Sequence, residues 1–267
     1  VDAAPPRPLL SHPRRGHGRT VRIADYIETL DHEGRLVTEA ARPADLDAPV
    51  PDCPRWLVRD LLRHLGAVHR WATAFVAEGR DQPVALPTPP AMSDDALLPW
   101  LRDGLDRLVT TLRAAPPDLA CWTFLPAPSP SIFWARRQAY ETAVHRVDVE
   151  KARGLPISPL DPEFAAGGID ELLTGFHARQ RSPVRTDSPK TLRVRVTDVA
   201  EADWIVRLSD EPPRTVRVSA DPPAADCVYE GPAATLYLVL WNRLPPEAVR
   251  ITGDVSLAHR WRALTSD

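Results

Sequence analysis

The stretch IFWARRQAYETAVHRVDVEKAR, residues 132–153, constrains the fold more than any other part of the chain. It holds no Gly or Pro, and Gly154 and Pro156 mark its end, so it reads as one uninterrupted helix. Gln138, Glu141, His145 and Asp148 recur three or four residues apart and form a polar stripe along one face. A bundle helix normally turns an apolar stripe inward. This helix therefore either gives its polar stripe to water or buries it around something that the stripe binds.

Spacing alone does not decide between the two. With 36 acids and eight His among 267 residues, roughly one His follows an acid at i,i+4 by composition, and such a solvated pair is worth about 0.2–0.5 kcal/mol. The chain has three such pairs: Glu28/His32, Asp60/His64 and Glu141/His145.

Residues 1–19 are rich in Pro and Arg and lack an apolar h-region, so they read as a disordered leader and not as a secretory signal. A first helix is expected from Thr20 to Ala41. A second runs from Arg55 to Glu78 with Pro54 at its opening. A third runs from Ser93, as N-cap, to about Ala115, with Asp94 and Asp95 in its first turn. In the second helix Leu57, Leu61, His64, Val68, Trp71 and Phe75 make an inward stripe with His64 in its middle. A Pro-rich crossover, QPVALPTPPAM, separates the second and third helices. Four long helices with one long crossover make a four-helix bundle over residues 20–153. Trp56, Trp71, Trp122 and Trp134 read as core.

Past a linker at 154–161 the pattern changes. Residues 162–267 predict a helix from Pro162 to about Arg181 and strands at Thr191–Val199, Asp203–Leu208, Arg214–Ser219 and Asp226–Glu230. A helix from Pro232 through Leu244, a strand at Arg250–Thr252 and a helix at Val255–Leu264 follow. Helices segregated from a mostly antiparallel sheet describe a small α+β domain, so the fold class is α+β with two domains.

The net charge of −3 gives no basic footprint for nucleic acid. No run of eighteen apolar residues offers a membrane span. Cys53, Cys121 and Cys227 form no C-x-x-C pair, which points to a reducing cytoplasm. Gly-rich phosphate loops are absent. A monomer or weak homo-oligomer is expected.

Bundle cores build metal sites from ligands on facing helices. His64 on the second helix and Glu141 and His145 on the fourth offer two imidazole nitrogens and a carboxylate oxygen. That set suits Zn²⁺ or another divalent metal and leaves a fourth position open. Asp148 is either a support or substrate contact beside His145, or a solvated helix acid.

Three segments carry a resemblance. VPDCPRWLVRDLLRHLGAVHRWA resembles the second-helix signature of the mycothiol-dependent maleylpyruvate isomerase family, within the wider DinB-like superfamily. YETAVHRVDVEKA is similar to that family's fourth-helix signature, E-x-x-x-H-R-x-D. EGPAATLYLVLWNRLPPEAVRITGDVSLAHRW resembles its sterol-carrier-like C-terminal module, with Trp241-Asn242-Arg243 where W-G-R is usual. The resemblance spans about residues 20–265. It implies a DinB-like bundle with His64, Glu141 and His145 as metal ligands. It also implies mycothiol as a thiol cosubstrate, and an isomerase or S-transferase acting on a small electrophile. A coordinating metal deprotonates a thiol whose free pKa is near 8.5. Addition of the thiolate to a cis-enoyl acid, rotation and elimination give the trans isomer; if the thiolate stays attached, the enzyme is an S-transferase. Arg243 is either a catalytic residue for a substrate carboxylate or a cation at a helix C-terminus. Two other readings stay open: hydrolysis by metal-bound water, and a non-catalytic small-molecule-binding protein.

Overall fold

The structure, a computed structural model, describes residues 22–218 and 224–266. The leader at 1–19, Thr20 and Ser219 lie outside them. Helices α1 (Ile23–Ala40), α2 (Val58–Glu78), α3 (Asp94–Ala114) and α4 (Pro130–Ala152) form the four-helix bundle. α4 begins where the Ser129 hydroxyl accepts from the Ile132 N–H at 3.3 Å, with Pro130 in the first turn. It packs against α1 and α2. Its polar residues are buried along with its apolar ones: Gln138, Thr142, His145, Arg146, Asp148 and Glu150 all lie inside. The stripe therefore faces inward. A helix enclosed on all sides must pair its charges. Arg146 does so with Glu33 at 2.7 Å and Glu150 at 2.6 Å.

Pro54 does not open α2. Residues 50–56 make a tight turn in which Cys53 N–H bonds Val50 C=O, Trp56 N–H bonds Cys53 C=O and Val50 N–H bonds Trp56 C=O. Pro54 sits inside this turn, which needs no N–H from it. The helix starts at Val58, and the Asp60 carboxylate caps the Leu57 N–H at 3.0 Å. Ser93 holds the N-cap position of α3 without a side-chain bond.

Beyond the bundle, α5 (Pro162–Asp170) is capped by Asp161, whose carboxylate accepts from Phe164 N–H at 2.9 Å. The helix expected to reach Arg181 stops early. It widens into a π-helical turn, Glu171–Phe176, closed by His177 N–H on Leu172 C=O five residues back. The sheet has the order β3-β2-β1-β4-β5. Its strands are β1 (Lys190–Val196), β2 (Asp203–Leu208), β3 (Arg214–Arg217), β4 (Cys227–Gly231) and β5 (Arg250–Gly253). β1 and β4 are parallel and the other pairs antiparallel. α6 (Ala233–Leu240) ends short of Leu244, because Asn242 takes a left-handed conformation with φ +62°. Its side chain donates to Arg262 C=O and Thr265 Oγ1, fixing a turn that sends Arg243 toward the bundle. α7 (Val255–Thr265) closes the described chain. One apolar cluster runs from the bundle to the sheet, passing through Tyr140 and Phe164 with ring centroids 4.6 Å apart. Among the described residues no helix is long and apolar enough to cross a membrane.

Candidate metal centre

α2 and α4 bring the three residues singled out by sequence to one point. His64 Nε2 lies 3.2 Å and His145 Nε2 3.3 Å from the same oxygen, Glu141 Oε1. The three ligand atoms all lie within 4.8 Å of one another. A tetrahedral site with ligand bonds of about 2.0–2.1 Å has donor–donor edges of about 3.3 Å. The carboxylate oxygen thus stands at ligand spacing from both nitrogens. Donor types and spacing together fit Zn²⁺ or a similar divalent cation.

Each candidate ligand on α4 is braced from behind. Asp148 Oδ2 is 2.9 Å from His145 Nδ1. A carboxylate only accepts, so Nδ1 carries a proton and Nε2 faces the centre. Asp148 is fully buried and receives Arg243 Nε at 2.9 Å and Nη2 at 3.0 Å. It is therefore not a solvated helix acid. Arg243 is 5% exposed and also donates to Trp241 C=O at 2.8 Å. Arg137 Nη2 donates to Glu141 Oε2 at 2.8 Å, which leaves Oε1 toward the centre. The same guanidinium pairs with buried Glu171, which also accepts from Arg136 Nε at 2.9 Å.

These contacts set the charge states with protein groups alone. Burial opposes ionisation of Glu141, but bonds from His145 and His64 and the charge of Arg137 hold its carboxyl well below the usual range. Burial likewise opposes the His145 cation, yet Asp148 and Glu141 raise its pKa to about 9. His69 stands apart from the triad: its Nε2 is 3.0 Å from Thr142 Oγ1, and burial lowers its pKa to about 3.

The centre opens into two lobes that share His64, Arg137, Glu141 and Phe176. One, about 370 Å³, is walled by Cys53, Trp56, His145, Trp241 and Arg243. The other, about 400 Å³, is walled by Val68, Trp71, Leu86, Trp122 and Phe124. Of the four tryptophans read as core, only Trp134 is fully buried. Trp71 and Trp122 line the second lobe. The Trp56 ring lies 4.9 Å from His64 and 6.0 Å from His145, carried there by the 50–56 turn. Arg137, Glu171 and Trp56 were not singled out as site residues from sequence. The Arg137/Glu141 spacing of four is a visible signal; Glu171 and Trp56 arrive through tertiary structure and leave none. A larger groove of about 530 Å³ lies along α1, beside Glu28, Glu33 and Glu163, away from these ligands.

Residues 27–150 match the family described as the mycothiol maleylpyruvate isomerase N-terminal domain, and residues 163–260 match the C-terminal domain of the same proteins. No curated protein matches the chain in sequence. The crystal structure of the mycothiol-dependent maleylpyruvate isomerase aligns at TM-score 0.59 and 12% identity, over 87% of this chain and 93% of that one. A histidine-to-alanine mutant of the mycothiol-dependent maleylpyruvate isomerase aligns at TM-score 0.60 with the same identity and coverage. At that identity the likeness shows a shared fold.

Proposed function

Because this chain belongs to the mycothiol maleylpyruvate isomerase family, we propose that it is a metal- and thiol-dependent enzyme, an isomerase or S-transferase, centred on His64, Glu141 and His145. The observation that carries the reading is the convergence of two imidazole Nε2 atoms on one oxygen of a carboxylate whose other oxygen is tied back by Arg137. A divalent metal bound there supplies the positive charge that keeps a low-molecular-weight thiol ionised near neutral pH.

The chain's own residues do the rest. Asp148 and Arg243, the candidate catalytic residues from sequence, act as a positioning pair: Arg243 fixes Asp148, and Asp148 fixes the tautomer and plane of His145. Arg137 does the same for Glu141. The aromatic walls of the lobes limit water, which disfavours protonation of the enolate formed on addition. For a cis-enoyl acid the reaction balances without a net proton. The sulfur bonds to one alkene carbon and the π pair moves onto the conjugated carbonyl. The single bond rotates, the pair returns, and the C–S bond breaks to release the trans isomer and the thiolate. A reducing cytoplasm fits this reading, since Cys53, Cys121 and Cys227 are not joined in disulfides.

The test is turnover of a cis-enoyl acid by metal-loaded protein with and without added mycothiol. Turnover that requires the thiol and disappears in His64→Ala is expected. Thiol-independent cleavage of an ester or amide would overturn this reading in favour of a metal hydrolase.

A further inference from the structure

The two lobes differ in chemistry, and the difference bears on the substrate. The lobe walled by Trp71, Trp122 and Phe124 is an aromatic box, with ring centroids 5.9–6.1 Å apart. Trp71 Nε1 donates to Val84 C=O at 2.8 Å, so the box is tied to the Pro-rich crossover that carries Leu86 over its mouth. Leu86, 42% exposed, lines this lobe. Two polar groups line the same lobe without a protein partner. Gln138 is 1% exposed, yet its Oε1 is enclosed and unbonded. Such an amide oxygen only accepts, so it is a counterpart for a donor on the ligand and not for its carboxylate. Arg181 at the rim has no carboxylate partner among the described residues, whereas Arg137 already serves Glu141 and Glu171.

Resting on the function proposed above, we infer that the electrophile this chain takes is a bulky apolar monocarboxylate. Its hydrocarbon part lies against Trp71, Trp122 and Phe124, and its carboxylate pairs with Arg181. The lobe, at about 400 Å³, is of small-molecule size. Apart from the metal, which the thiolate takes up, it offers one unpaired cation, which suits one carboxylate and not two. A compact dicarboxylate would leave the aromatic walls unfilled and one charge unmet. The first lobe, beside His145 and Trp56, is left for the thiol.

The experiment is calorimetric titration of the full-length, metal-loaded protein with 2-naphthoate and with maleate as unreactive probes. Naphthoate is expected to bind at least about tenfold tighter than maleate. Arg181→Gln and Leu86→Asp, both at exposed sites, are each expected to weaken naphthoate about threefold or more. Maleate binding as tightly as naphthoate would overturn the proposal, as would naphthoate binding that neither substitution changes. Tight naphthoate binding by a protein without thiol-dependent turnover would support the lobe and overturn the isomerase reading. Thiol-dependent turnover of short dicarboxylic enoyl acids, with no naphthoate binding, would do the reverse.

Discussion

Asp148 accepts from His145 Nδ1 and from two nitrogens of Arg243, with no exposure to solvent. Asp148→Asn keeps the shape and removes the charge. Metal affinity is expected to fall about 10–100-fold, since His145 loses the partner that orients it. Unfolding free energy should fall by about 3 kcal/mol or more, because Arg243 is left buried beside a neutral group. Zinc competition titration and urea unfolding read the two effects separately, and unchanged metal affinity would show that Asp148 does not position His145. Arg137→Lys replaces a planar fork that serves Glu141 and Glu171 together with a single point donor. About a tenfold loss of metal affinity is expected in the same titration; an unaltered affinity would show that Glu141 needs no brace. At this scale the triad was readable, because His64 stood in an apolar stripe and Glu141 and His145 shared a helix face. Asp148 was visible as a continuation of that face, but its burial was not: only the packing of other elements on α4 decides it.

α4 shows why an inward polar stripe looks like a solvated one in sequence. The residues have the same spacing in both cases, and the difference lies in the Glu33, Glu171 and Arg243 side chains that arrive from elsewhere to pair with it. Helix ends depart from the sequence expectation where a local device replaces the usual stop: the 50–56 turn at Pro54, the left-handed Asn242 and the π turn at 171–176. The π turn matters to the site. Residues five apart on an α-helix point about 140° apart, whereas an i→i+5 turn brings them closer in direction. Glu171 pairs with the Arg137 guanidinium while the Phe176 ring lies 5.0 Å from it. The bundle has its own tight contact. A methyl group at Gly66 would stand 2.2 Å from a ring carbon of Trp100, which Arg70 covers at 4.0 Å. Gly66→Ala is therefore expected to cost about 1–3 kcal/mol, read as a lower urea midpoint at unchanged slope. An unshifted midpoint would mean that α2 and α3 part without cost.

The two halves of the molecule are held together at the site by the charge pairs of Arg243 with Asp148 and Arg137 with Glu171, and by a hydrogen bond from Lys151 to the Arg243 carbonyl. The bundle and the α+β fold were legible from helix length, crossover length and strand alternation. The way the second half braces the proposed metal ligands was not, because it depends on side chains more than thirty residues apart. Two buried imidazoles away from the ligands set an acid limit on the assembly. Burial lowers His69 to about 3, and burial with Arg179 lowers His177 to about 4, from an ordinary 6.5. Both are neutral in the fold, while the unfolded chain takes up their protons below pH 6.5. Their contribution is complete above that pH and is lost as pH falls toward 4, by up to about 1.4 kcal/mol per pH unit for each imidazole. Urea unfolding at stepped pH should show this slope, and His177→Gln should flatten it; a wild-type stability constant from pH 6.5 to 4.5 would contradict it.

The proposed chemistry depends on a metal held by His64, Glu141 and His145. Its presence is read most directly by elemental analysis of protein purified without chelator, beside a folded His145→Ala variant. About one zinc-like equivalent in the wild type, lost in the variant, is the expected result. No metal in either, even after incubation with Zn²⁺, would contradict a metal centre and leave a family fold whose buried His–Glu–His cluster serves another purpose.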